Sequence, residues 1–166
     1  MCDPAVVVVM GVSGSGKTTI AVLLAQLLRW DLADADDFHS PASLRKMEKG
    51  IPLTDEDRWP WLYAIAGWID DVRRAGRRGI VTCSALKRSY RRILIGDRQD
   101  VRLIYLQGDM QLISQRMLKR RGHFMPAALL RSQFDTLEEP EENPIIVPVA
   151  AQPAQIVERV RAELRV

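Results

Sequence analysis

The segment GVSGSGKTT at residues 11–19 constrains the fold of this chain more than any other stretch. It fits the pattern G-x-x-x-x-G-K-[ST], in which glycines allow a tight turn whose backbone N–H groups converge on a phosphate. An apolar run at residues 5–10 precedes it, and apolar residues at positions 20, 23, 24, 27 and 28 predict a helix after it. A strand, a glycine-rich turn and a helix in this order predict a phosphate-binding loop, because the helix N-terminus adds its positive dipole.

This loop supplies the expected ligands of ATP and of the Mg²⁺ that ATP carries. Lys17 is expected to reach the β- and γ-phosphates as a catalytic cation, and the Thr18 hydroxyl is expected to bind the metal ion. The whole predicted nucleotide-binding set within the loop is Gly11, Ser13, Gly14, Ser15, Gly16, Lys17, Thr18 and Thr19. The alternative, a Gly/Ser-rich hairpin or linker, does not explain the strand and helix on either side.

Strands and helices alternate along all 166 residues, without a repeat or a Pro/Gly-rich linker. Predicted strands at residues 5–10, 30–33, 80–83, 101–106 and 145–147 indicate an α/β fold with three layers. A parallel five-stranded sheet is expected to lie between helices, as one domain over residues 1–166. A segment at about 40–75 is expected to bind the second substrate.

An acidic patch follows the second predicted strand, at the sheet edge where such folds bind ligands. Asp36 is the predicted catalytic carboxylate, which would orient an acceptor hydroxyl and accept its proton. Asp34 is expected to support the magnesium ion. A solvated acidic turn is the alternative. Two helix starts are also predicted nearby, with Ser40 and Asp57 as N-caps.

A cationic helix end precedes the helix-breaking sequence GHFMP at residues 122–126. Arg116 and Arg120, four residues apart, would lie on one helix face and contact the phosphates of ATP. Arg120 is the third residue assigned a catalytic role, since cations neutralise charge on a transferring phosphoryl group. Residues 118–127 are therefore predicted to form a mobile lid, and an exposed basic loop is the alternative.

The residues near the acidic patch favour a small, polyhydroxylated acid over a nucleoside as the acceptor. No stacking aromatic or amide pair is offered by the predicted helix at residues 41–49. Charged and hydroxyl groups suit a carboxylate and several hydroxyls, and these are His39, Lys46, Arg58, Ser84 and Lys87. A shikimate-like or nucleoside acceptor on the same fold stays open, as does a nucleotide-binding regulatory protein without turnover.

Composition limits the partners and the compartment. The chain has 24 Lys and Arg against 21 Asp and Glu, a formal net charge of +3. Its basic residues form short clusters that suit small anions better than a nucleic-acid backbone. No apolar stretch approaches the roughly 18 residues of a membrane span, and two cysteines do not form a disulfide framework. We therefore expect a cytoplasmic protein that binds neither nucleic acid nor membrane.

Several motifs together resemble the bacterial-type gluconokinases. They are GVSGSGKT, DADDFHSPASLRKMEKGIPLTDEDRWPWL, CSALKRSYR, YLQGD and GHFMPAALLRSQFDTLEEP, and they extend from the first strand to Pro140. The resemblance implies a nucleoside-monophosphate-kinase-like fold, usually dimeric. It also implies transfer of the ATP γ-phosphoryl group to the 6-hydroxyl of D-gluconate, which feeds gluconate into the pentose phosphate and Entner–Doudoroff pathways.

The same resemblance assigns residues to the two substrates. Lys17 and Thr18 match the nucleotide and magnesium positions, and Asp36 matches the carboxylate beside the acceptor. The lid region is matched by Arg116, Arg120 and Arg121, of which Arg121 is expected to contact the acceptor. The residues matched around gluconate are His39, Lys46, Arg58, Ser84, Lys87 and Gln133. Ser43 stands where the family pattern has asparagine, which bears on the exact acceptor preference.

Overall fold

A computed structural model describes residues 3–119 and 127–166 of the protein. The elements in chain order are β1 (Val6–Met10), α1 (Lys17–Leu28), β2 (Asp31–Asp34), a 3₁₀ helix (Ala35–Phe38), α2 (Pro41–Glu48), α3 (Asp55–Arg74), β3 (Gly79–Thr82), α4 (Arg88–Leu94), β4 (Val101–Gln107), α5 (Met110–Lys119), α6 (Ala127–Thr136), β5 (Ile145–Pro148) and α7 (Pro153–Leu164). The strands predicted from apolar runs are all present, with ends that differ by at most one residue.

The five strands form one parallel sheet in the order β2-β3-β1-β4-β5. β1 is central, and Val8 lies opposite Val81 on β3 and Leu103 on β4. The chain crosses to one side of β1 for β2 and β3 and to the other for β4 and β5. The strand order therefore reverses at β1, and a ligand crevice is expected beyond its carboxyl end, where residues 11–16 lie.

Helices cover both faces of the sheet, which explains why all five residues of β1 are buried. Val6, Val8 and Met10 belong to a core that includes residues of α3 and α4. Val7 and Val9 belong to a second core with residues of α1 and α7. This alternation along one strand confirms the predicted three-layer α/β fold.

The local signals predicted most helix starts but misplaced one. Ser40 accepts a hydrogen bond from the Ser43 N–H and caps α2, as predicted. α3 was expected to begin at Asp57, yet its N-cap is Thr54. Asp57 is the third helical residue and completes a capping box, in which its carboxylate accepts from the Thr54 N–H at 2.9 Å.

The 20-residue helix α3 buries one face only. Its buried positions recur with helical spacing and pack under β1 and β3, whereas charged residues occupy both of its ends. Across residues 3–119 and 127–166, we find no helix that is both long and apolar enough to cross a membrane.

Candidate active site

The loop between β1 and α1 has a backbone that only glycine accommodates at three positions. Gly14 and Gly16 have φ angles of 79° and 97°, in the left-handed region. A Cβ atom on Gly14 would also lie 2.7 Å from Cγ of Met117, and one on Gly11 would lie 2.6 Å from Oγ of Ser15. The loop thus turns tightly and delivers the chain into α1, with Thr18 and Thr19 exposed in its first turn.

Lys17 folds back into this loop. Its Nζ atom donates hydrogen bonds to the carbonyl oxygens of Gly11 and Val12, each at 3.0 Å. Burial lowers the pKa of the Lys17 ammonium group, and the nearby carboxylates of Asp36 and Asp34 oppose that shift. A cation is therefore held at the mouth of the loop, beside the acidic patch.

The loop also contains polar groups that suit a phosphate. The Ser15 hydroxyl oxygen is buried and has no hydrogen-bond partner among the described residues. A buried donor without a partner carries a substantial energetic penalty, which a phosphate oxygen would remove. Together with the N-terminus of α1 that follows the loop, this orphan hydroxyl fits the predicted nucleotide phosphates.

Gln133 on α6 holds the loop from outside. Its Oε1 atom accepts a hydrogen bond from the Ser13 N–H at 2.7 Å, and its Nε2 atom donates to Ser13 Oγ at 2.9 Å. Gln133 was expected at the acceptor. The structure places it on the phosphate loop, 120 positions away in sequence from its partner.

The acidic patch lies at the carboxyl end of β2, as its sequence position predicted. Asp34 caps the 3₁₀ helix, because its Oδ1 accepts a hydrogen bond from the Asp36 N–H at 3.0 Å. The Asp36 side chain is 82% exposed and thus accessible to an incoming substrate. Partial burial of the carboxyl group and the charge of Asp34 raise the pKa of Asp36.

His39 is fixed next to Asp36. Its ring stacks on Trp61 with centroids 4.5 Å apart, and its Nε2 lies 4.0 Å from Oδ1 of Asp36. Trp61 is itself anchored, since its Nε1–H donates to the Ala35 carbonyl at 2.6 Å. Burial lowers the pKa of His39, and its Nδ1 is buried with no partner among the described residues.

Two of the predicted acceptor cations, Lys46 and Lys87, form ion pairs that sequence reasoning missed. Lys46 on α2 pairs with Asp57, at 2.8 Å from both carboxylate oxygens. Lys87 pairs with Asp55, at 3.1 Å from both oxygens. The first pair, with the Thr54 backbone, lowers the pKa of Asp57 to about 2.

Tyr90 and Arg58 complete the group around Asp55. The Tyr90 hydroxyl donates a short hydrogen bond to Asp55. Arg58 Nη1 lies 3.5 Å from the Tyr90 hydroxyl oxygen, and its guanidinium lies 5.7 Å from the ring centroid. The sequence contained one usable signal: Tyr90 is three residues after Lys87, the N-cap residue of α4, and the Lys87 Nζ atom lies 5.5 Å from the Tyr90 ring centroid.

The loop after β3 carries Ser84 and Lys87 and is held by a buried arginine. The Ser84 carbonyl oxygen lies 3.4 Å from the Gly11 N–H, which joins this loop to the phosphate loop. Arg91, 1% exposed, donates from Nη1 to the carbonyls of Ala85 and Leu86 at 3.1 and 3.2 Å. Sequence reasoning did not identify Arg91 as part of the site.

Arg116 lies on α5, and its guanidinium donates a short hydrogen bond to the Val149 carbonyl in the loop after β5. Arg120, Arg121 and most of the predicted lid at 118–127 lie outside the described residues. Among the described residues, the site therefore brings together Lys17, Asp34, Asp36 and His39, with Arg58, Lys87 and Ser84 on the neighbouring loop and helices.

Comparison with known proteins was made on both sequence and structure. A family profile described as Adenylylsulphate kinase matches residues 3–144. A gluconokinase from Gluconobacter oxydans is 44% identical over 149 residues, which cover 90% of this chain and 84% of the relative.

Two solved structures are similar over nearly their whole length. An unliganded sugar kinase from Janibacter sp. HTCC2649 is 49% identical with a TM-score of 0.89, over 98% of this chain and 95% of that one. A gluconokinase from Sinorhizobium meliloti 1021 is 40% identical with a TM-score of 0.88, over 99% of this chain and 94% of that one.

Proposed function

The chain belongs to the gluconokinases, within the family that the adenylylsulphate kinase profile describes, and from this we propose that it phosphorylates D-gluconate with ATP. The products would be 6-phosphogluconate and ADP, which would supply the pentose phosphate and Entner–Doudoroff pathways. The observation that carries the proposal is the position of Asp36. An accessible carboxylate lies beside the lysine of a phosphate loop, with cationic side chains on the neighbouring elements.

Asp36 would act on the acceptor. Its carboxylate would accept a hydrogen bond from the 6-hydroxyl of gluconate and take the proton as the oxygen attacks the γ-phosphorus. A raised pKa brings the carboxylate closer in basicity to the group it must deprotonate. His39, fixed by Trp61, would hold the acceptor hydroxyls beside Asp36.

Lys17 would act on ATP. In the free protein its ammonium group donates to two loop carbonyls, and it would exchange these for β- and γ-phosphate oxygens when the nucleotide binds. Ser15 and the backbone N–H groups of the loop would donate to the same phosphates. The residues thus orient the phosphoryl group and balance its charge, which is what this reaction requires of a protein.

The donor set near the loop fits Mg²⁺ carried by ATP. No cluster of three or more His, Cys, Asp or Glu side chains suited to a metal occurs in residues 3–119 and 127–166. Mg²⁺ usually keeps several waters and binds through phosphates plus one or two protein oxygens. The Thr18 hydroxyl would be one, and Asp34, with one oxygen used by the Asp36 N–H, would hold a metal-bound water with the other. When bound, the metal neutralises charge on the phosphates.

Further assignments complete the proposal. The segment at 40–75 would bind gluconate through Lys46, Arg58 and His39, together with Ser84 and Lys87. Arg116, Arg120 and Arg121 would belong to a lid at 118–127 that covers the phosphates, with Arg120 taking part in catalysis. We place the protein in the cytoplasm as a homodimer that binds neither nucleic acid nor membrane.

The test is ADP release from purified protein with ATP, Mg²⁺ and D-gluconate, with shikimate and nucleosides as alternative acceptors. Turnover is expected with gluconate as the acceptor and not with shikimate or nucleosides. Asp36→Asn should lower kcat by about a hundredfold or more, the scale of a lost general base, while ATP binding measured by calorimetry persists. Turnover with another acceptor, but not with gluconate, would contradict the proposed substrate.

A further inference from the structure

Asp55 lies at the centre of a group of donors near the proposed acceptor site. It is the first residue of α3, and its carboxylate accepts from Lys87 Nζ through both oxygens and from the Tyr90 hydroxyl. Arg58 approaches the same group through Tyr90. One ammonium group and one phenol thus contact the carboxylate, and a guanidinium lies against the phenol; these are donors expected for an anionic ligand.

The ion pairs Lys46–Asp57 and Lys87–Asp55 differ in how strongly other contacts hold the carboxylate in place. Asp57 accepts a hydrogen bond from the Thr54 N–H and belongs to the capping box of α3, so its carboxylate cannot leave Lys46 without loss of the cap. The hydrogen bonds that Asp55 accepts in the described structure all come from side chains. The side chains of Asp55 and Lys87 are 38% and 32% exposed, so solvent and ligands reach this pair.

We propose that the Asp55 carboxylate occupies, in the free protein, the position that the carboxylate of the acceptor takes on binding, and that Asp55 is therefore a specificity-determining residue. This inference rests on the proposed function. An acceptor with a carboxylate replaces Asp55 at Lys87 and at the Tyr90 hydroxyl, and Asp55 turns toward solvent. Lys46 stays paired with Asp57, so its charge is not available to the acceptor carboxylate.

The consequence for selectivity follows from the exchange. An anionic acceptor replaces one ion pair with another, so its carboxylate finds Lys87 already held in position. A neutral polyol of the same size gains nothing from Lys87 and leaves the Asp55 pair intact. Asp55 thus weakens the binding of every anion that competes for Lys87 and leaves the binding of a neutral polyol unchanged, so it sets the affinity difference between the two classes of acceptor.

The variant Asp55→Asn separates this role from a structural one. Asparagine keeps an oxygen for the Tyr90 hydroxyl but removes the charge that competes for Lys87. The dissociation constant of D-gluconate, measured by calorimetry, should fall about two- to fivefold, the scale of a partly exposed ion pair. The KM for D-gluconate should fall in parallel at saturating ATP, and the KM for ATP should not change.

Glu56→Gln is the matched control, since it removes one negative charge from the same helical turn at an exposed position. It should leave gluconate affinity at the wild-type value. Asp55→Ser tests the same idea with a smaller side chain and should also tighten gluconate binding, and thermal unfolding establishes that each variant is folded. D-Glucitol, the neutral polyol, should bind no more tightly to Asp55→Asn than to the wild type.

The opposite sign would overturn the inference. If Asp55 only holds Lys87 in place, then Asp55→Asn and Asp55→Ser both raise the dissociation constant of gluconate. Tightening by Glu56→Gln to the same extent would show a general charge effect and would also contradict a specific exchange. Failure of the proposed function is distinguishable, because the wild-type protein would then neither bind nor phosphorylate gluconate.

Discussion

Replacement of Arg91 by methionine should destabilise the protein more than any change to an exposed arginine of the same helix. The guanidinium is buried, and beyond the carbonyls of Ala85 and Leu86 it donates to the Glu138 carbonyl at 3.0 Å and to the Glu142 carboxylate at 3.2 Å. Methionine fills a similar volume but donates none of these hydrogen bonds.

The magnitude follows from what the substitution leaves behind. Three carbonyl oxygens lose a donor, and the Glu142 carboxylate, which is 24% exposed, loses its cation. Loss of one partner of a buried pair costs about 3–5 kcal/mol. At about 2–4 °C per kcal/mol for a domain of this size, Tm should fall by roughly 10 °C.

The assay is thermal unfolding followed by circular dichroism, with Arg92→Met as the matched control. Arg92 is the next residue of α4 and is exposed, so its replacement should change Tm by about 2 °C or less. A second readout is the KM for D-gluconate, which should rise in Arg91→Met because Ala85 and Leu86 lie between Ser84 and Lys87. Equal Tm values for the two variants would refute the reasoning.

Two further predictions concern the phosphate loop and acid stability. Gln133→Ala removes both hydrogen bonds to Ser13 and should lower kcat/KM for ATP about tenfold, whereas Ser13→Ala keeps the backbone hydrogen bond and should lower it less. The kcat/KM of the double variant should be no lower than that of Gln133→Ala. Additive losses in steady-state kinetics would contradict the contact. The Arg98 and Arg73 guanidinium groups lower the pKa of Asp70 to about 2. Because this folded-state pKa lies below the usual 3.8, the pair stabilises the protein above pH 3.8 and this contribution is lost as pH falls toward 2. Over that range the free energy of unfolding of the wild type should fall by about 1–2 kcal/mol more than that of Asp70→Asn, so its Tm should drop more steeply. Asp71→Asn, which breaks an exposed pair, should follow the wild type.

The sequence predicted the layers of the fold because the spacing of buried apolar residues differs between helices and strands. The all-apolar β1 indicated a central strand covered on both sides, and Ile156, Val157, Val160 and Leu164 are all buried along α7 as the spacing predicted. The resemblance to gluconokinases was confirmed by a relative at 44% identity. These features depend on residues close together in sequence.

The start of α3 was predicted wrongly because two residues of one capping box are both good N-caps. Asp57 and Thr54 are three residues apart, and the spacing of the box assigns the cap to Thr54 and the third helical position to Asp57. Proline at position 60 suggested a later start, since proline is favoured in the first turn. Reciprocal hydrogen bonds at the cap outweighed that preference.

The contacts that support the site could not be predicted from the sequence because they join distant segments. Arg91 and Arg92 are identical letters, and only the fold buries one and exposes the other. The Lys87 contact with Asp55 spans 32 positions, and the Gln133 contact with Ser13 spans 120. Residue type and spacing predicted which side chains carry charge, but they did not predict which carboxylate each cation would meet.

Several of the distant contacts involve one segment of the chain, from α6 to residue 142. Gln133 holds the phosphate loop at Ser13, and Glu138 donates from its N–H to the Leu86 carbonyl at 2.8 Å. The Glu138 carboxylate also accepts from the Arg88 N–H at 2.6 Å, at the start of α4. One continuous segment thus fixes the loop expected to bind ATP and the loop expected to bind the acceptor. The distance between the two substrates therefore depends on α6, although neither substrate need touch that helix.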